Sequence, residues 1–141
     1  MNFEHPLSSV EQLHIEMGYP CNVRCIMCFQ ENFSQKMDSM IWKSALLPVY
    51  PHVSRVLVQG GEPTVMKDCK ELISLVLSHN PSARFGVMTN GLLFGDYWRE
   101  TFVDHGYEVN FSLNAASQVT HELINVNSRY SKVMDNLNRL I

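Results

Sequence analysis

The sequence predicts an α/β fold, a parallel sheet with flanking helices built from about four strand–helix units. Apolar runs of strand character alternate with amphipathic stretches along the chain, which is the pattern of βαβ units. The run Val53–Gln59 is nearly continuous in apolar residues, as in strands covered on both faces. No two of these strands are joined by a hairpin turn alone, so they run parallel through crossovers.

The elements follow in order, after residues 1–10 as a lead-in. Residues 12–17 alternate as a first strand, and after a cysteine-bearing loop residues 36–47 form a helical stretch stopped by Pro48. Val53–Gln59 is the second strand. Residues 68–78 form a helix with Leu72, Ile73, Val76 and Leu77 on one face, ended by Asn80-Pro81. Arg84–Thr89 is the third strand, and residues 97–104 make a short helix before Gly106. The fourth strand, residues 107–113, places Tyr107, Val109, Phe111 and Leu113 on one face; Glu108, Asn110, Ser112 and Asn114 fall on the other. A last helix runs to the terminus with Val133, Met134, Leu137, Leu140 and Ile141 as its apolar stripe.

At 141 residues, 45% hydrophobic and 18% charged, residues 1–141 read as one globular domain with a real core. The net charge of −3 gives no signal of a nucleic-acid partner. No apolar run approaches the roughly 20 residues of a membrane helix, so no membrane partner and a cytoplasmic location are expected. A reducing cytosol also suits free thiols.

Cys21, Cys25 and Cys28, in the string CNVRCIMCFQ, carry the chemistry. Thiolates spaced C-x3-C-x2-C on one tight loop can turn toward one metal centre, yet they fall one ligand short of a closed four-cysteine site. A cluster held by three cysteines keeps one iron open to a small molecule. Structural zinc is the competing reading, but zinc sites usually answer a C-x2-C pair with a second Cys or His pair. Here Cys69 stands alone, and His5, His14, His52, His79, His105 and His121 lack ligand-like spacing. A disulfide framework has neither a signal-like leader nor balanced cysteines to support it.

Three further motifs follow at predicted strand ends: Gly60-Gly61-Glu62-Pro63, Met88-Thr89-Asn90-Gly91 and Phe111-Ser112-Leu113-Asn114. With the cysteine triplet, in this order, the chain from about residue 13 to 141 resembles the radical S-adenosylmethionine (SAM) enzymes. The resemblance implies a partial (β/α) barrel and a [4Fe-4S] cluster on Cys21, Cys25 and Cys28, with SAM on the open iron. It implies SAM contacts at Gly60, Gly61, Glu62, Thr89, Asn90, Ser112 and Asn114. Glu62 would accept from the SAM amine, and Ser112 and Asn114 would meet its ribose and carboxylate. One electron from a donor such as flavodoxin or ferredoxin would cleave SAM to a 5′-deoxyadenosyl radical that abstracts hydrogen from a substrate. Residues 112–141 are similar to the branch containing peptide and protein maturases, so the implied substrate is a peptide or protein.

The chain departs from that pattern in three places. Met27 stands before the last cysteine where an aromatic residue is frequent, with Phe29 just beyond. Residues 125–129, Asn-Val-Asn-Ser-Arg, occupy the place of a common Arg-Gly, and the nearest arginine is Arg129. The chain also encodes fewer strand–helix units than a complete core, so a C-terminal half or a partner subunit would cover the fourth strand's edge. The alternatives to an enzyme are a non-catalytic iron-sulfur or SAM-binding half-core, and a zinc-bound or metal-free structural remnant.

Overall fold

The computed structural model describes residues 9–140. In chain order its strands are β1 (Val10–Glu16), β2 (Arg24–Cys25), β3 (Val53–Gln59), β4 (Arg84–Thr89), β5 (Glu108–Phe111) and β6 (Asn125–Val126). Its α-helices are α1 (Lys67–His79), α2 (Asp96–Phe102), α3 (Gln118–Ile124) and α4 (Tyr130–Asn138). Strands β1, β3, β4 and β5 form one four-stranded sheet in that spatial order, every pair parallel. The predicted parallel sheet with flanking helices is therefore the observed one. Strands β2 and β6 make a separate antiparallel ribbon.

Alternation decides which face packs. Leu13, Ile15, Val56, Val58, Phe85, Val87, Val109 and Phe111 fall in register on one face and join Leu72, Ile73 and Val76 of α1 and Trp98 and Phe102 of α2 in one apolar cluster. Burying each such side chain contributes about 1.5–3 kcal/mol. The opposite face carries His14, Glu16, Arg55, Glu108 and Asn110. Gly86 of β4 lies between Arg55 and Glu108 on this face; a Cβ there would stand 2.9 Å from Leu57 Cδ1 and 3.3 Å from Arg55 Nη2. The missing side chain lets the Arg55 guanidinium cross β4 and pair with the Glu108 carboxylate. Asn80 ends α1 and ties it down by donating from Nδ2 to the Val53 carbonyl at 2.7 Å.

Several expectations are corrected. Residues 36–47 do not form one helix, because their first turn pairs with the exit of β1 instead: Tyr19 N–H donates to Gln35 O at 2.8 Å and Met37 N–H to Met17 O at 3.1 Å. Helical geometry is confined to residues 39–45, mostly a π-helical segment, Ile41–Ala45, whose width shows in the Leu46 N–H to Ile41 O bond of 2.9 Å. Strand β5 stops at Phe111 rather than 113: Leu113 N–H turns back to Phe111 O at 3.0 Å, and Asn114 takes φ 58°. Helix α3 and the β2–β6 ribbon were not anticipated. The lead-in up to residue 8 and Ile141 of the terminal stripe lie outside the described residues. No helix among the described residues is long and apolar enough to cross a membrane.

Two buried acids report on the packing. Burial pushes the Cys69 thiol up to about 12, with Asp68 and Glu62 adding to the shift, and burial pushes the Tyr50 hydroxyl to about 12. Both folded values exceed the unfolded ones, about 8.5 and 10, so the neutral buried forms stabilise the fold fully below about pH 8.5. That contribution is lost as pH rises toward 12. Urea melts should show stability declining above about pH 8.5, and Cys69→Ala should flatten the first part of the decline; an unchanged slope in that variant would contradict the assignment.

Candidate metal centre and cofactor pocket

The site is built from the ends of the parallel strands. At the exit of β1, Met17 N–H donates to Gln59 O at 3.1 Å, and past the end of β3 the two segments stay in contact. Gly61 N–H donates to Gly18 O at 2.7 Å, and Glu62 N–H to Pro20 O at 2.8 Å. A Cβ on Gly60, where φ is +135°, would stand 2.4 Å from Gly18 O; one on Gly61 would stand 2.3 Å from Tyr19 O and 2.4 Å from Pro20 O. The two glycines are required by the neighbouring backbone itself.

This contact launches the cysteine loop. Cys28 N–H donates to Cys25 O at 3.0 Å, Val23 N–H points at the Cys21 sulfur at 3.4 Å, and Arg24 donates to Cys21 O at 2.7 Å. The Arg24 guanidinium lies 3.6 Å above the Phe33 ring. Cys21 and Cys25 are half-buried and Cys28 is exposed.

Glu62 is 1% exposed and joins β3 to β4. Its Oε1 accepts from Thr64 N–H at 3.0 Å, Thr64 Oγ1 at 2.6 Å and Thr89 Oγ1 at 2.7 Å. Its Oε2 accepts from Asn90 N–H at 2.7 Å. Asn90 then reaches back, donating from Nδ2 to Asn22 Oδ1 at 2.9 Å with the Cys21 sulfur 3.9 Å away. Ser112 continues the β4–β5 ladder through its N–H to Thr89 O at 2.8 Å.

Cys21, Cys25, Cys28, Gly60, Gly61, Glu62, Thr89, Asn90 and Ser112 all line one cavity of about 140 Å³. Asn114 is not among the lining residues. The shared face expected for it and Ser112 is lost where β5 ends, and its Nδ2 donates instead to Asn125 Oδ1 at 2.7 Å. His14, Glu16, Met27, Phe29 and Arg129 do not line the cavity either; Met27 and Phe29 are exposed.

Three buried residues of this region were missed from the sequence: His121, Asn125 and Asn136. Asn136 donates to Gly91 O at 2.7 Å and Leu92 O at 3.2 Å, fastening the Thr-Asn-Gly loop to α4. Asn125 faces Cys25, whose thiol donates to Asn125 Oδ1 at 3.1 Å. The signal available was the interruption by His and Asn of otherwise ordinary helical stretches, which surface positions produce equally well.

Burial pushes the Cys21 thiol up, with Glu62 and Cys28 adding to it and the Val23 N–H and Arg24 opposing. Burial also pushes up Cys25, and its neighbours Cys21 and Cys28 raise it further. The three sulfurs therefore sense one another across the cavity. Three thiolates so placed repel each other until a metal supplies positive charge. Among the described residues no three His, Cys, Asp or Glu side chains converge as ligands of a single ion. A cubane cluster does not require this, because each thiolate binds a different iron. The donor set thus fits a tripodal iron-sulfur cluster with one open iron.

A partial (β/α) barrel with a three-cysteine loop on its carboxyl rim defines the class. Residues 15–141 match the radical SAM superfamily, and the chain belongs to it. The enzymes of that superfamily use a [4Fe-4S] cluster and SAM. GTP 3',8-cyclase of Rhodopirellula baltica is 24% identical over 139 residues, covering 93% of this chain and 39% of that protein. GTP 3',8-cyclase of Peptoclostridium acidaminophilum is 26% identical over 135 residues, covering 91% and 42%. The chain spans about two-fifths of the length of these relatives. Among solved structures, anSMEcpe with bound AdoMet shares the fold at a TM-score of 0.74 and 23% identity, covering 93% of this chain and 40% of that one. Streptococcus suis SuiB does so at 0.73 and 19%, covering 94% and 31%.

Gly61→Ala should cost about 1–3 kcal/mol, the range for overpacking, because backbone oxygens cannot move aside as a side chain can. Urea melts of the variant check this, and wild-type stability would show that the β1 and β3 exits are not held together as described.

Proposed function

We propose that this chain is the part of a radical SAM oxidoreductase that binds the cluster and SAM. The observation that carries this reading is the convergence of Cys21, Cys25 and Cys28 with Gly60, Gly61, Glu62, Asn90 and Ser112 on one cavity at the carboxyl ends of parallel strands. When bound, the cluster and SAM supply reductive cleavage to a radical able to abstract hydrogen. The protein's part is placement. The three cysteines hold the cluster, Gly60 and Gly61 set the loop's distance from β3, and Glu62 fixes the loop at Asn90. Short polar groups at Thr89, Asn90 and Ser112 remain near the cavity for the amino, carboxylate and ribose groups of SAM.

For the substrate we propose a peptide or protein, delivered to the concave face of the sheet, with electrons from a flavodoxin- or ferredoxin-like donor. Support comes from two of the fold neighbours, anSMEcpe with bound AdoMet and Cp18Cys peptide and SuiB bound to precursor peptide SuiA. A second reading, a half-core that binds without turnover, is favoured by one observation: among the described residues β5 pairs only with β4. Beside it Val109, Phe111, Leu137 and Leu140 line an apolar groove of about 350 Å³.

The test is anaerobic reconstitution with iron and sulfide, reduction in the presence of SAM, and mass-spectrometric assay of 5′-deoxyadenosine. Accumulation is expected; a cluster without 5′-deoxyadenosine would leave the half-core reading, and no iron uptake would remove both. Cys25→Ala should abolish cluster assembly, since a tripodal site has no spare ligand, and full iron retention would count against the ligand set. Glu62→Ala should weaken SAM binding by about tenfold with iron content unchanged, because it frees the Asn90 loop from a hydrogen-bonded carboxylate. Equilibrium binding of SAM measures this, and an unchanged affinity removes Glu62 from the site.

A further inference from the structure

A groove of about 700 Å³ runs over the outer face of α1 and shares no lining residue with the cysteine cavity. Its floor is the stripe of α1 opposite the buried one. Lys67, Lys70, Glu71 and Ser74 recur at helical spacing there, whereas Cys69, Leu72, Ile73 and Val76 are buried. Trp42 and Lys43 of the π-helical segment line the groove beside Glu71, and Tyr97 of α2 lines it beside Lys70.

The charges in this groove do not balance. Three ammonium groups face one carboxylate: Lys43 Nζ lies 3.0 Å and Lys67 Nζ 3.4 Å from the Glu71 oxygens. The flanking acids are taken up elsewhere, Asp68 by Lys36 at 2.9 Å and Asp96 by Arg139 at 2.9 Å. A local positive excess thus stands on a chain whose net charge is −3. The aromatic rings are also engaged. Lys43 Nζ lies 4.6 Å from the Trp42 ring centroid and Lys70 Nζ 4.3 Å from that of Tyr97, and Trp42 is only 2% exposed. The rings therefore hold ammonium groups in place and leave no open Trp42 face for a planar ligand to stack on.

We propose that this groove docks an acidic segment of a partner protein, with carboxylates on Lys43, Lys67 and Lys70 and apolar side chains on Leu75 and the lysine stems. The spread of the charges selects a chain over a single small anion. Lys43 and Lys67 meet at Glu71, while Lys70 is drawn off to Tyr97, so the donors do not converge on one point. From residue 67 to 74 the helix rises about 10 Å, the length of about three residues of extended peptide. Glu71, held between two ammonium groups, already occupies the kind of place a guest carboxylate would take. Neither the cluster nor SAM enters this proposal.

Fluorescence anisotropy on the full chain tests it, with a fluorescein-labelled peptide alternating glutamate and leucine and its glutamine counterpart as probes. Only the glutamate peptide should bind, and more weakly as sodium chloride rises. Lys70→Gln should loosen it about threefold, and Lys43→Gln combined with Lys70→Gln about tenfold. Glu71→Gln should tighten it about threefold, because two ammonium groups are released to the guest. Lys132→Gln, on α4 outside the groove, should change nothing. Each substituted side chain is at least partly exposed, and thermal melts confirm that the variants fold. Absence of binding, equal binding of both peptides, an equal loss in Lys132→Gln, or no tightening in Glu71→Gln overturns the proposal. Displacement by inorganic phosphate beyond the effect of sodium chloride at equal ionic strength would make this a small-anion site and overturn it as well.

Discussion

The exits of β1 and β3 touch backbone to backbone, and the site is hung from that contact. Gly18 and Pro20 accept from Gly61 and Glu62 across a gap too narrow for a Cβ at Gly60 or Gly61. Because the peptide groups are paired, the first cysteine, one residue past Pro20, starts from a fixed point. Glu62 starts from another. Its carboxylate reaches the end of β4 at Thr89 and Asn90, and Asn90 reaches back to Asn22. The contacts thus close a ring from β1 to β3 to β4 and back to the cysteine loop. Loosening the glycine contact would open that ring at its origin, whereas removing a member such as Thr89 leaves the other joints.

A second chain of contacts holds the loop from the other side. Cys25 meets Asn125, Asn125 meets Asn114 and His121, and His121 meets Leu113 and Ser128. The buried polar residues Glu62, Thr89, His121, Asn125 and Asn136 belong to these two chains or, for Asn136, to the loop at Gly91. No buried side-chain polar atom among the described residues is left without a partner. Polar burial is costly unless satisfied, and here it is concentrated at the rim while the sheet–helix interior stays apolar. The interior supplies stability and the rim supplies position.

That division explains what the sequence could show. Strands β3 and β4 were read with their observed limits, since each is a central strand whose apolar residues face packed layers. The cysteines and the glycine pair were legible because their spacing is local. Residues 36–47 misled because amphipathic spacing does not reveal that Gln35 and Met37 are claimed by the β1 exit. The β2–β6 ribbon is two residues on each side, too short for any period. Asn125 and Asn136 carry no local signal, because what distinguishes them is a partner 100 and 45 residues away. Asn114 misled for a related reason: alternation was extended past the turn at Leu113, where the chain leaves the sheet.

The electrostatics of the cavity argue for the kind of guest it takes. Its lining includes three thiols and the Glu62 carboxylate, and among the described residues no lysine, arginine or histidine. Burial and mutual repulsion hold the Cys21 and Cys25 thiols above their ordinary range, so without positive charge beside them these sulfurs favour the protonated form. Positive charge brought among the sulfurs reverses this balance. A multi-iron centre does so directly, and a ligand bearing a sulfonium and an ammonium group adds more of the same sign beside Glu62. Arg24, in the cysteine loop, is turned onto Phe33 and the loop carbonyls, where it braces the loop. A phosphate or other simple anion would find no positively charged side chain in this lining and would lie beside the Glu62 carboxylate and the thiols, so the lining favours a cationic guest over an anionic one.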